Sequence, residues 1–396
     1  MTKDHTSGEL KIAVDTWVLG SQSRNHGVHE YTVQLLCHFR ELAASYGVEI
    51  QPYVCAGAEN DANSLTAAPG FQPRETGLLR RSRTWRLGGA YALACLRGVD
   101  LVFNPHCVSW YGSRAPVVTT IHDLIPVVLP WPSRVVKTLR FLLRSAATSS
   151  CAIITGSRFS KADIVNLLGV PESRVTVVYD GCDHAVFNSS SADPVLLASV
   201  LRRQGIQRSY VLHYGAIKPN KNLPRLIQAH RNLVDRNPNL DLDLVLAGTA
   251  STGYDDVLAA VRRCSGARGR VVLTGALSQQ DLVALIQGAS LAVFPSLYEG
   301  FCLPMIESMA CGTPTIAANA SCLPEISGGV LRYFDPLSVE EMSACMEAVL
   351  EDREAGAQLS AKGKERAQEF TWRSSAEKTL ALLAKTAAAV RDEKTG

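Results

Sequence analysis

The sequence predicts two α/β domains in tandem, each an open parallel sheet covered by helices on both faces. Three observations predict it. Short, continuously apolar, β-rich runs alternate with longer stretches of helical period, as expected of strands buried on both faces and joined by crossover helices. The alternation pauses once, over residues 184–206, and then restarts. The length of 396 residues is enough for two cores of ordinary size.

In the first half, strands are read at KIAVDTWV (11–18), VEIQPYVC (48–55), VDLVFNP (99–105), APVVTTIHD (115–123), CAIITGS (151–157) and RVTVVYDG (174–181). Helices are read at 28–45, 132–149 and 160–169. The pause, HAVFNSSSADPVLLASVLRRQGI, is polar and punctuated by Ser, Asp and Pro, which marks a domain boundary. Beyond it, strands follow at SYVLHYGA (209–216), LDLVLAG (242–248), RVVLTG (270–275), LAVFPS (291–296) and TPTIAAN (313–319), with helices between them and a helical tail. The chain thus divides into a Rossmann-like domain over 1–190, a second over 207–370 and a C-terminal helix over 371–396. Open parallel sheets bind ligands beyond the carboxyl ends of their strands. With two such domains, the expected site is the cleft between them.

Composition excludes several classes. The formal charge of +3 is too weak for a nucleic-acid binder, which needs a dense basic surface. No basic–apolar–small-residue leader is read at the N-terminus, and no run of eighteen uncharged apolar residues is present. The eleven cysteines are scattered, with no Cys-x-x-Cys pair. They read as small buried thiols in a reducing, cytoplasmic compartment. His26 and His29 lack a third ligand at suitable spacing, so no metal site is expected.

The segment LAVFPSLYEGFCLPMIESMACGTPTI carries two carboxylates inside an apolar context. Pro304 suits the first helical position, which makes SLYEGFCL a strand-to-helix loop containing Glu299. Glu307 is then expected in the first helical turn, where free N–H groups favour a carboxylate or a bound phosphate. The alternative is an ordinary βα unit whose Glu307 serves only its helix. Upstream, Gly215 ends a strand, and Lys218 and Lys221 follow in the loop, where a diphosphate would want cations. They could equally be solvent-facing lysines near a turn. His122 and Asp123 follow the apolar run VVTTI and so project from a strand end. His122 could donate a hydrogen bond to a sugar hydroxyl, shuttle a proton, or be a satisfied core histidine; Asp123 could cap the turn. Gly27 lies in a glycine-containing turn before the first helix, without a Gly-x-Gly-x-x-Gly fingerprint. Basic residues gather at LLRRSRTWR (78–86) and at Arg134, Lys137, Arg140 and Arg144, just after Trp131. Peripheral contact with an anionic membrane and a solvated basic face both fit them.

In this order and at these separations, the marks resemble the retaining nucleotide-sugar glycosyltransferases of family 4, with the two-domain GT-B fold. They are E-x7-E from Glu299 to Glu307, the Gly27 turn, IHD at 121–123, GSRFSKADIVNLLGVPESRVTVVYDG at 156–181, and YGAIKPNKNLPRLI at 214–227. The resemblance implies an N-terminal acceptor domain and a C-terminal donor domain. It implies that Glu299 contacts the donor sugar, Glu307 the ribose, Lys221 the diphosphate, backbone near Leu303 and Pro304 the phosphate, and His122 the transferred sugar. Gly27, Gly215 and Lys218 join the donor side; Asp123 and Trp131 are candidates for the acceptor side. The helix near Trp372 would cross back to the first domain. No cofactor or metal is implied beyond the nucleotide sugar, GDP-mannose first and a UDP-sugar next. The acceptor would be lipid-linked or a saccharide in surface polysaccharide synthesis. A non-catalytic sugar-nucleotide binder is the alternative of another class, and retention of both glutamates and Lys221 argues against it. A glycogen-synthase-like enzyme is disfavoured by its different lysine-rich loop. One departure matters: where the family pattern reads Pro-Arg-Lys-Asn, this chain has Pro219-Asn220-Lys221-Asn222.

Overall fold

Each of these apolar runs forms a strand. The computed structural model describes residues 9–20, 27–55, 74–76, 98–107, 115–130, 133–190, 193–264 and 269–395. The chain divides into two compact units, Met1–Asp180 with Trp372–Gly396, and Gly181–Thr371.

Unit 1 contains β1 (Leu10–Asp15), β2 (Val48–Cys55), β3 (Arg74–Thr76), β4 (Leu101–Asn104), β5 (Val117–Thr120), β6 (Ala152–Thr155) and β7 (Val175–Val177). They pair in parallel in the order β3-β2-β1-β4-β5-β6-β7. All residues of β4, β5 and β6 are buried, as a sheet covered on both faces requires. The helix Gly27–Leu42 buries Tyr31, Leu35 and Phe39 at helical spacing, and Phe39 meets Phe103 of β4 at 6.3 Å between ring centroids. The terminal helix Trp372–Thr395 belongs to this unit. It buries Ala376, Leu380, Leu383 and Ala387 along one stripe, and Arg373 and Arg391 reach Glu41 and Asp100 at 3.8 and 3.9 Å.

Unit 2 contains β8 (Ser209–Tyr214), β9 (Leu242–Ala247), β10 (Val271–Gly275), β11 (Leu291–Phe294), β12 (Thr315–Ala318) and β13 (Arg332–Phe334). Their order is β10-β9-β8-β11-β12-β13, again all parallel. Strand order reverses between β1 and β4 in unit 1 and between β8 and β11 in unit 2. Those reversals define the crevices where such sheets take ligands.

The division falls after Asp180, just before the polar segment 184–206 read as the boundary. That segment lies within unit 2 and carries the helix Pro194–Gln204, capped by Asp193, whose Oδ1 accepts from Val195 and Leu196 N–H at 2.9 and 3.4 Å. The two strands that sequence reading missed, β3 (RET) and β13 (RYF), have three residues each and carry no continuous apolar run.

At the ends of β8 and β9, two glycines let backbones approach. Gly248 has φ +156°, and a Cβ there would fall 1.9 Å from the Gly215 carbonyl oxygen. Gly248→Ala is therefore expected to destabilise unit 2 by about 1–3 kcal/mol, the range of an overpacked core, read as a lower denaturant midpoint.

Candidate functional site in unit 2

The site grows from the β8–β11 reversal. β8 delivers Gly215, whose φ of +127° turns the chain beside Pro304 and the Lys221 side chain. A short 3-10 turn, Pro219–Lys221, then places Asn220 and Lys221 inside. β11 delivers the loop from Pro295 to Cys302, ending at the helix Leu303–Ala310.

The two loops are joined by charge. Lys221 Nζ lies 2.7 Å from Glu299 Oε1, and both side chains are only about a tenth exposed. Burial alone would lower the lysine pKa; the Glu299 carboxylate more than offsets it, so the ammonium titrates above the ordinary lysine range. The pair is held from several sides. The Glu299 amide donates to Ser321 Oγ at 3.1 Å. Asn222 Nδ2 donates to the carbonyls of Pro295 and Pro336 at 3.1 and 2.7 Å. Lys218 is half-buried at the start of the turn.

The helix register differs from expectation. Cys302, at φ 74°, ends the loop, and Leu303 begins the helix with Pro304 second. Glu307 is thus the fifth helical residue, beyond the first turn where the dipole acts. It is half-buried and raises the titration of the buried Tyr214 hydroxyl, behind burial itself as the larger cause. Tyr214 closes the end of β8 by donating to the Pro304 carbonyl at 2.6 Å. Pro304 has no N–H, so the amide available at the first helical position is that of Leu303. The thiols nearby are free; burial pushes Cys302 and Cys311 up to about 12, leaving them inert thiols. Cys151, expected inside, is exposed, because it precedes β6 instead of lying in it.

Unit 1 gathers its own polar groups at the carboxyl edge. His122, after β5, donates from Nε2 to the Pro105 carbonyl at 2.9 Å and stands edge-on to Tyr31 at 4.8 Å. Burial, helped by His106, lowers its pKa to about 4. The ring is neutral at pH 7, with its proton on Nε2 donated to Pro105, which leaves Nδ1 as an acceptor. Asp123 Oδ1 accepts from Ile125 N–H at 2.9 Å, the turn-capping role. Gly27 is the exposed first residue of its helix. Trp131, His26, the 78–86 basic segment and the side chain of Arg134 lie outside the described residues. At the β1–β4 reversal sits a pair that sequence reading missed, His106 Nε2 and Asp15 Oδ2 at 3.1 Å. Among the described residues, no three His, Cys, Asp or Glu side chains converge as a metal site.

Two stability effects follow. Lys221→Met strands the Glu299 carboxylate, so a loss of about 3 kcal/mol is expected in urea denaturation of the substrate-free protein. At the end of unit 1, burial pushes the Asp180 carboxyl from 3.8 up to about 7. The folded protein then holds a proton that the unfolded chain releases, so stability is lost as pH rises from 3.8 towards 7. Asp180→Asn should leave stability unchanged near pH 3.5 and raise it by about 2–4 kcal/mol above pH 7, measured by denaturation at each pH.

Two family models match the chain, one described as glycosyltransferase family 4 over residues 27–186 and one as glycosyl transferases group 1 over residues 203–366. The O-antigen chain mannosyltransferase B of Escherichia coli is 31% identical over 267 residues, covering 66% of this chain and 68% of that protein. The E. coli serotype-specific mannosyltransferase WbdA is 28% identical over 57% of this chain, which spans only 28% of WbdA. Among solved structures, HepE of Anabaena in complex with UDP and glucose superposes with TM-score 0.73 at 18% identity, covering 95% of this chain and 100% of that one. The chain belongs to the family-4 glycosyltransferases and is built on their GT-B fold.

Proposed function

We propose that the protein transfers mannose from GDP-mannose, with retention, to a lipid-linked or saccharide acceptor in surface polysaccharide synthesis. The observation that carries it is the buried Lys221–Glu299 pair at the β8–β11 reversal, a cation and a carboxylate where a parallel sheet receives a nucleotide. The likeness to proteins named as mannosyltransferases supports the sugar. A UDP-sugar donor is the second reading, supported by the likeness to HepE, solved with UDP and glucose.

In this reading, breaking the sugar–phosphate bond builds negative charge on the leaving diphosphate. Lys221, with Lys218 and the Leu303 amide, stabilises it. Glu299 binds donor hydroxyls, Glu307 reaches the ribose, and unit 1 holds the acceptor. His122 accepts a hydrogen bond from the transferred sugar through Nδ1. The acceptor attacks from the face the diphosphate leaves, and the departing phosphate takes its proton. Lys137, Arg140 and Arg144 are exposed on one helix with Phe141, 55% exposed, which supports contact with an anionic bilayer. Among the described residues no helix is long and apolar enough to cross a membrane.

A panel of GDP-, UDP- and ADP-sugars, followed by turnover on undecaprenyl-linked acceptors, tests donor and class together. GDP-mannose should turn over and give an axial product linkage by NMR; binding without turnover would leave only a sugar-nucleotide binder. Lys221→Ala, assayed well below its melting temperature, should lower kcat about a hundredfold. Activity should survive EDTA.

A further inference from the structure

We propose that Asn220 is a positioning residue that aims Glu299 without placing a second positive charge beside it. The inference rests on the reading of Glu299 as a donor contact. Asn220 is 1% exposed. Its Nδ2 lies 3.1 Å from the Tyr298 carbonyl oxygen and 3.5 Å from Glu299 Oε1. Both are acceptors, which fixes the amide with its nitrogen towards them. The Asn220 backbone carbonyl accepts from Leu297 N–H at 2.8 Å, so backbone and side chain of one residue together hold the glutamate loop at three successive positions.

The consequence falls on the carboxylate. Oε1 faces both the Lys221 ammonium and the Asn220 amide, and Oε2 makes no hydrogen bond to any described residue. Turning the carboxylate about its last bond would break the 2.7 Å contact with Lys221, so Oε2 stays directed as the free acceptor. A second cation at 220 would give Glu299 another counter-charge and compete with sugar hydroxyls for its oxygens. The neutral amide fixes orientation and leaves one charge, on Lys221, to balance the carboxylate.

The test is a double-mutant cycle of Asn220→Ala and Glu299→Gln in the full chain, with GDP-mannose as donor and GDP as product inhibitor, or UDP-glucose and UDP if the panel selects them. Asn220→Ala should lower kcat about tenfold while changing the Ki of the free nucleotide less than about threefold. In the Glu299→Gln background it should cost no further turnover. Asn220→Ser, a smaller perturbation, repeats the cycle if the alanine variant melts below the assay temperature. Additive losses in the double variant, or a weakened nucleotide Ki with kcat intact, would overturn the positioning role. Full turnover by Glu299→Gln alone would instead sink the reading of Glu299, and the role of Asn220 with it.

Discussion

A buried ion pair sets the terms for unit 2. Withdrawing an ammonium and a carboxylate from water costs several kcal/mol per ion, and their attraction repays it only when geometry and supporting hydrogen bonds are good. A packed apolar pair would serve stability as well. Lys221 and Glu299 sit 78 residues apart in sequence yet meet at 2.7 Å, and the loops around them are shaped to hold that contact. The Asn222 side chain reaches two carbonyls, Ser321 takes the Glu299 amide, and Tyr214 fixes the helix start.

Backbone strain gathers at the same place. Among the described residues, the non-glycine positions with positive φ are Asn222, Cys302 and Ser321, at 57°, 74° and 50°. Each such conformation costs about 1–3 kcal/mol. All three flank the ion pair: Asn222 ends the lysine turn, Cys302 ends the glutamate loop, and Ser321 supplies the hydroxyl that receives Glu299. Strain and desolvation therefore act together, and both are sustained by the buried strands of unit 2. Loops assembled this way are preorganised before any ligand arrives, which is what the proposed stabilisation of a leaving group requires.

Much of this was legible in the sequence, for physical reasons that particular residues make plain. Runs such as LDLVLA announce themselves because a strand buried on both faces is continuously apolar. Lys221 and Glu299 could be placed in loops at strand ends because strands were found on either side. What resisted was whatever depended on partners distant in the chain. The strand order that makes β8 and β11 neighbours is not a local property. The helix begins at Leu303, one residue before Pro304, after a left-handed Cys302 that the sequence did not announce, so Glu307 lost its expected place in the first turn. The role of Asn220 looked like an absence, an arginine missing from a pattern, until its amide was seen on the Tyr298 carbonyl.

The two units divide their electrostatics. In unit 2 a buried cation is kept charged by a carboxylate in contact with it. In unit 1 burial prevails at two groups: His122 stays neutral despite its hydrogen bond to Pro105, and the Asp180 carboxyl is held up near 7. The sheets are alike, so the difference lies in what each loop brings beside the buried group. Pro105 offers His122 a carbonyl, which selects a tautomer without supplying charge. Glu299 offers Lys221 a full counter-charge. Unit 2 thus keeps a charged pair at its strand-order reversal, while unit 1 keeps a neutral hydrogen-bonding ring at the end of β5, and the difference comes from the partner each loop supplies.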